Sequence, residues 1–83
     1  MKDKIFQNIC YTELVYERIN KKLNMKFSKE QIENLIVDVI KKTDKKCFEK
    51  TRKNYYITNI EHNIKVTVNS NTFRVITADR VEK

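Results

Sequence analysis

The apolar residues of this 83-residue chain change their spacing once, and that change predicts a domain built from two unlike halves. Up to Lys42 they recur mostly at steps of three to five residues, as they do along one face of a helix. From Asn54 onward they become β-branched and aromatic and fall into short runs. We therefore expect one α+β domain over residues 1–83, with two N-terminal helical units packed on one face of a three-stranded antiparallel β-meander.

The first helical unit is predicted between Lys4 and Asn24. Its apolar residues are Ile5, Phe6, Ile9, Leu14, Val15, Ile19 and Leu23. A break near Tyr11 fits this spacing, because Thr12 can cap a helix and Glu13 would then lie at the positive end of the helix dipole. The sequence is compatible with one long helix and with two short ones.

The second helical unit has the sharper start signal. Ser28 and Gln31 have the spacing of a capping box, and Phe27 can pack on Ile32 as a hydrophobic staple. This pattern predicts a helix that begins at Lys29. The buried stripe consists of Ile32, Leu35, Ile36, Val39 and Ile40, and Lys41 and Lys42 lie at the negative end of the dipole.

Three strands are predicted at residues 55–58, 64–68 and 73–77, and residues 43–53 are expected to form an exposed connection before them. A two-residue turn at 70–71 and a loop at 60–63 set the register. The expected cross-strand pairs on the core face are Tyr55–Val68, Ile57–Val66, Asn59–Ile64, Val66–Val75 and Val68–Phe73.

The chain contains no Gly, no Pro and no Trp, so a phosphate-binding loop lacks the residues that its tight backbone requires. His62 is the sole histidine and lies in a predicted turn, away from Cys, His or Asp at ligand spacing. We expect no metal, no cofactor and no catalytic residue. An enzyme that acts on RNA through His62 is the least favoured hypothesis, because no companion residue supports it.

Two isolated cysteines, Cys10 and Cys47, fit a compartment in which thiols stay reduced, and a disulfide between them is not needed for the fold. Polar residues interrupt residues 1–10 before any apolar run reaches the length of a signal peptide or a membrane span. We therefore expect a cytoplasmic protein that does not bind membranes.

The basic charge is concentrated in residues 41–53, which hold seven Lys or Arg against two acidic residues and thus +5 of the formal net charge of +7. Such side chains neutralise phosphates without reading sequence, whereas a solvated loop would have a similar composition. The hypothesis is a small, basic, non-enzymatic binding protein that contacts nucleic acid or a nucleoprotein complex. The candidate contacts are Lys45, Lys46, Lys50, Arg52 and Lys53, with Lys65 and Arg74 on the sheet as auxiliaries.

The outer face of the predicted sheet mixes one aromatic ring with cations and hydroxyls. Its residues are Tyr56, Thr58, Lys65, Thr67, Arg74 and Ile76. This face can stack a nucleobase, or it can be an ordinary solvated surface. Tyr56 and Ile76 are also candidate residues of a protein interface. The alternative function is accordingly a protein-binding inhibitor or regulator, for example a phage-encoded antagonist of a host CRISPR-type defence complex.

Three stretches carry a family resemblance: NICYTELVYERIN at residues 8–20, NYYITN at 54–59 and NSNTFRVITADR at 69–80. Together they resemble a family of short bacterial proteins of unknown function, over most of the chain. The resemblance implies no activity, cofactor or catalytic residue. RNA-cleaving toxins of the HicA type are similar in size and charge, but their glycine-rich motif with a catalytic histidine is missing here.

Overall fold

The computed structural model describes residues 2–81, so both ends of the predicted domain lie outside the described residues. The helices are α1 (Lys2–Asn8), α2 (Glu13–Leu23) and α3 (Lys29–Lys42), and a single 3-10 turn covers Lys45–Cys47. The strands are β1 (Phe48–Thr51), β2 (Asn54–Asn59), β3 (Ile64–Asn69) and β4 (Val75–Arg80), and they form one antiparallel sheet in the order β1-β2-β3-β4. The α+β class is confirmed, and the count of three strands is wrong.

The additional strand, β1, lies in the segment that we expected to be an exposed connection. Phe48 pairs with Ile57 of β2 and is buried at 9% exposure, whereas the other three residues of β1 are exposed. An edge strand pairs with a neighbour on one side only. Strand β1 is held on the sheet by its pairing with β2 and by one buried apolar side chain. The sequence of β1 therefore lacks the alternating apolar pattern that predicts a strand.

The first helical unit consists of two helices, α1 and α2, which settles the alternative that the sequence left open. The chain leaves the helical path at Cys10 to pair with the start of β4: the Cys10 amide donates to the Phe73 carbonyl at 3.0 Å, and the Cys10 carbonyl accepts from the Val75 amide at 2.9 Å. Thr12 occupies the N-cap position of α2, but its hydroxyl makes no capping hydrogen bond. The break is therefore fixed by the strand contact.

Helix α3 begins at Lys29, as predicted. The Ser28 hydroxyl accepts from the Gln31 amide at 3.2 Å, and the Gln31 side-chain oxygen accepts from the Ser28 amide at 2.8 Å. Both halves of the capping box are thus present. The buried stripe consists of Ile32, Ile36, Val39 and Ile40, with Leu35 partly buried beside it.

The register between β2 and β3 is confirmed in full, including Ile57 opposite Val66. The register between β3 and β4 is wrong. Val68 lies opposite Val75, not Phe73, and Val66 lies opposite Ala78. The pairing shifts because Val75 and Thr77 face consecutive residues of β3, which leaves Ile76 as an extra residue in a bulge.

A longer loop than expected causes this shift. The Asn69 side chain accepts hydrogen bonds from the amides of Asn71 and Thr72, and the Asn69 carbonyl accepts from Phe73. The loop closes with Phe73 at a φ of 59°, in the left-handed region that glycine usually occupies. A chain without glycine therefore forms a four-residue loop around an Asn side chain instead of a two-residue turn.

The core lies between the helices and one face of the sheet. Helix α3 packs against β2 and β3, α1 packs on α3, and α2 packs along β4. The fully buried side chains are Ile5, Ile19, Ile32, Ile36, Ile40, Ile57, Val39, Val66 and Val68. Because α2 runs beside β4, the edge of the sheet at β4 is covered, whereas β1 forms the other edge.

Candidate nucleic-acid interface

The predicted basic segment forms one exposed margin of the sheet, which we call the basic edge. It consists of Lys45, Lys46, Lys50, Arg52 and Lys53, and all five residues are exposed. Lys45 and Lys46 lie in the 3-10 turn before β1, Lys50 lies within β1, and the last two form the turn that follows it. Strand β1, which separates the two ends of the basic edge, has four residues and is about 13 Å long.

The cations of the basic edge have no acidic partner among residues 2–81. The ion pairs in that range use other bases, such as Lys22 with Asp79 at 3.3 Å and Lys29 with Glu13 at 2.7 Å. Asp44, the acid next to the basic edge, accepts a hydrogen bond from the Lys46 backbone amide at 3.2 Å. Its carboxylate therefore caps the 3-10 turn.

Tyr56 lies on the outer face of the sheet, away from the core. Its neighbour Tyr55 faces the other way and stacks on Phe73, with 6.4 Å between ring centroids. The Lys65 ammonium lies 5.8 Å from the centroid of the Tyr56 ring, which is cation–π distance. The pair forms because Thr58 faces Lys65 across the two strands, which places Lys65 diagonally from Tyr56.

The predicted register placed Arg74 and Ile76 on the outer face with Tyr56, and this placement is wrong. Thr77 and Asp79 take those positions, opposite Thr67 and Lys65 of β3. The bulge explains the change, because one extra residue turns the preceding side chains away from the face. Arg74 is exposed beside Cys10, and Ile76 lines a groove between α2 and β4.

Two cations of α2 border the sheet, although neither was predicted as a contact residue. Arg18 donates from Nη1 to the Ile76 carbonyl at 3.3 Å, and Lys22 pairs with Asp79. Both residues project from α2 on the side that faces β4. No local sequence pattern predicts these contacts with β4, since they depend on where α2 lies against the sheet.

The remaining candidate residues form no reactive cluster. The His62 Nε2 atom lies 3.9 Å from a carboxylate oxygen of Asp38, and residues 2–81 contain no group of His, Cys, Asp or Glu arranged to hold a metal. Cys10 and Cys47 are both free thiols. No helix in the described part of the chain is long and apolar enough to cross a membrane.

Comparison with known proteins adds a family and no activity. Neither the curated proteins nor the solved structures contain a match to this chain. Residues 3–79 match the family described as "Protein of unknown function (DUF3781)", which accords with the resemblance carried by its helical and strand stretches. The match extends from α1 into β4. The chain therefore belongs to the DUF3781 family.

Proposed function

We propose that this protein binds single-stranded nucleic acid across the outer face of the sheet and along the basic edge. The observation that carries the proposal is Tyr56, a ring that lies outside the core with the Lys65 ammonium 5.8 Å from its centroid. Tyr56 is half-buried, and bases stack on aromatic rings that a sheet presents on its outer face in proteins that bind single strands.

The geometry suits a single strand better than a duplex. A base must leave its own stack to lie on Tyr56, and an unpaired base does so at low cost. Glu49 faces Tyr56 from β1, so the basic edge lies one strand away from the ring. A chain whose base rests on Tyr56 can therefore place its phosphates near that edge.

The charge arrangement supports non-specific contact. The five cations of the basic edge are exposed and lie outside the ion pairs of residues 2–81. Phosphate contacts by such groups release counterions, and the logarithm of the binding constant falls with the logarithm of salt by about 0.7 per contact on single strands. Four contacts would give a slope of about −2.8.

The test is fluorescence anisotropy with a labelled single-stranded RNA and a duplex of the same length, across a series of salt concentrations. We expect the wild type to prefer the single strand. Lys45→Gln with Lys46→Gln removes one end of the basic edge, and Arg52→Gln with Lys53→Gln removes the other. Each pair should lower the salt slope by about 1.4. The matched control, Lys4→Gln with Lys26→Gln, changes the same charge on the helical side and should keep the slope.

The proposal fails if the wild type binds neither strand form at low salt, where screening is weakest. It also fails if the control pair weakens binding as much as the two edge pairs, because the contact is then governed by net charge alone. The variants are compared only after circular dichroism shows the same folded signal.

A protein-binding regulator is the second candidate, and one observation favours it. Leu14 is 71% exposed and lies on the groove between α2 and β4 together with Ile76. Exposed apolar side chains that adjoin a groove are common in interfaces. Affinity capture from native lysate, with and without nuclease, separates the two functions. A partner that survives digestion and is lost with Leu14→Ser supports the regulator.

A further inference from the structure

A cleft of about 310 Å³ opens on the helical side of the sheet, near the loop between β2 and β3. Its apolar walls are Leu23, Met25, Phe27, Leu35 and Ile64. Three polar residues complete the lining: His62, Asn63 and Arg80. A cleft with mainly apolar walls and a few converging polar groups is the usual form of a small-molecule site.

The polar groups of the cleft are incompletely satisfied within residues 2–81. Arg80 donates from Nη2 to the Leu23 carbonyl at 2.8 Å, a contact that leaves other donors of the guanidinium fork available. The side-chain oxygen of Asn63 and the Nε2 atom of His62 are buried and have no hydrogen-bond partner. Buried polar atoms of folded proteins nearly always have a partner, which can come from a ligand.

The position of Asn63 is fixed by the backbone. Its carbonyl accepts a hydrogen bond from the Val81 amide at 2.8 Å, and its φ of 58° places it in the left-handed region, which Asn tolerates better than most residues. Asn63 lines the cleft next to Ile64, and its buried side-chain oxygen is an unpaired acceptor there. Arg80 pairs with Ile64 across the strands and lines the same cleft as Asn63. An unpaired acceptor and a guanidinium in one cleft favour a ligand that carries both a donor and an anion.

We propose that this cleft binds a small carboxylic acid with an apolar body and a hydroxyl or amino donor next to the carboxylate. Arg80 would hold the carboxylate, the geometry that a guanidinium fork matches best. The donor would satisfy the Asn63 oxygen, and the apolar body would cover the Leu35 and Ile64 side chains. One carboxylate fits the single guanidinium of the cleft. This site is separate from the proposed nucleic-acid surface, because Tyr56 and Lys65 lie on the opposite face of the sheet and the cleft contains no residue of the basic edge.

Three related probes test each element of the proposal by amide chemical shifts in NMR titrations of the full chain. The probes are 3-phenyllactate, 3-phenylpropionate, which lacks the hydroxyl, and 3-phenylpropanamide, which lacks both the hydroxyl and the charge. We expect saturable shifts at Leu35, Asn63 and Ile64. Loss of the hydroxyl should weaken binding several-fold, and further loss of the charge should weaken it by about tenfold more.

Two variants test which residue causes the preference for the carboxylate and which causes the preference for the hydroxyl. Arg80→Gln should remove the preference for 3-phenylpropionate over the propanamide, and Asn63→Gly, which tolerates the positive φ, should remove the preference for the hydroxyl. Lys21→Gln makes the same charge change outside the cleft and should leave all three affinities unchanged. If Arg80→Gln does not fold, Met25→Trp fills the cleft without touching Arg80 and should abolish the shifts.

The proposal is overturned if no probe gives saturable shifts at these amides up to about 20 mM, a concentration well above the millimolar affinities of weak ligands. Equal affinities for the carboxylate and the amide in the wild type would also overturn it. So would an unchanged preference in both Arg80→Gln and Asn63→Gly. None of these results bears on the nucleic-acid surface, because the residues differ.

Discussion

The side-chain amide of Asn59 donates a hydrogen bond to the Thr43 hydroxyl at 3.0 Å, and this contact joins the end of α3 to the end of β2. Both residues are buried, at 4% and 3% exposure. The Thr43 hydroxyl donates to the Val39 carbonyl, and the Asn59 oxygen accepts from the His62 amide at 2.8 Å. One polar chain thus connects the helix, the strand and the following loop.

Removing the Thr43 hydroxyl should destabilise the domain. Thr43→Val keeps the shape but leaves the buried Asn59 amide without this acceptor, at a cost of about 1–3 kcal/mol. Thr43→Ser retains the hydroxyl and is the matched control, and urea unfolding measures both. If the valine variant is as stable as the serine variant, the contact between Thr43 and Asn59 does not hold α3 on the sheet.

Removing the capping box should also destabilise the domain. Ser28→Ala with Gln31→Ala leaves two amides at the start of α3 without partners, and a cap is typically worth about 1 kcal/mol. Thermal unfolding measures the effect. Gln7→Ala, an exposed change in α1, is the control for loss of a surface amide. An unchanged midpoint in the double variant would mean that α3 gains no stability from its cap.

Tyr11 should make the domain sensitive to alkaline pH. Burial of the phenol, followed by the nearby Glu33 carboxylate, raises the pKa of Tyr11 above its usual 10.0. The unfolded chain therefore loses this proton at a lower pH than the folded chain does. The resulting stability is fully present below about pH 10 and is lost as the pH rises above it towards the folded pKa.

Tyr11→Phe should flatten this decline. Because the Tyr11 hydroxyl is buried and has no hydrogen-bond partner in residues 2–81, the change should cost little at neutral pH. Urea unfolding at several values between about pH 8 and pH 11 compares the variant with the wild type. A phenylalanine variant that loses stability as steeply as the wild type would assign the alkaline transition to other groups.

The charge of Lys50 should protect the free edge of β1. An exposed edge strand can pair with another chain, and a lysine on the edge opposes this association. Lys50→Val should therefore increase light scattering on storage, whereas Lys21→Val on α2 should not. Should both variants remain monomeric, the lysine has no protective role there.

The ring of Tyr56 should contribute to single-strand affinity. Stacking of a base on an aromatic side chain is worth about 1–3 kcal/mol, so Tyr56→Ala should weaken single-strand binding by roughly 5- to 150-fold. Thr58→Ala lies on the same face and should have a small effect. An unchanged affinity in Tyr56→Ala would remove the stacking role even if the basic edge binds phosphates.

Local signals in the sequence predicted the parts of the fold that depend on neighbouring residues. The start of α3 follows from Ser28 and Gln31, and the pairing of β2 with β3 follows from alternating apolar residues around a short loop. Strand β1 gave no such signal, since Phe48 is its one buried residue. The bulge at Ile76 was missed because it depends on how the Asn69 side chain closes the loop.

The candidate site likewise has features that the local sequence predicts and features that it does not. Exposure of the basic edge follows from its composition, and the pairing of Tyr56 with Lys65 follows from the register of two adjacent strands. The displacement of Arg74 from that face does not follow from the sequence pattern, because the bulge in β4 causes it. The cleft at Arg80 joins residues from four parts of the chain, so no single stretch of sequence indicates it.

The contact between Cys10 and the start of β4 closes a long loop of the chain. The Cys10 thiol donates to the Thr72 carbonyl, 62 positions further along the chain, and α2 buries its apolar side against β4. Closing so long a loop costs entropy before any contact repays it, which slows folding. We therefore expect α2 to gain its burial late, once β4 has joined the sheet, and a chain cut before β4 would leave α2 without its strand partner.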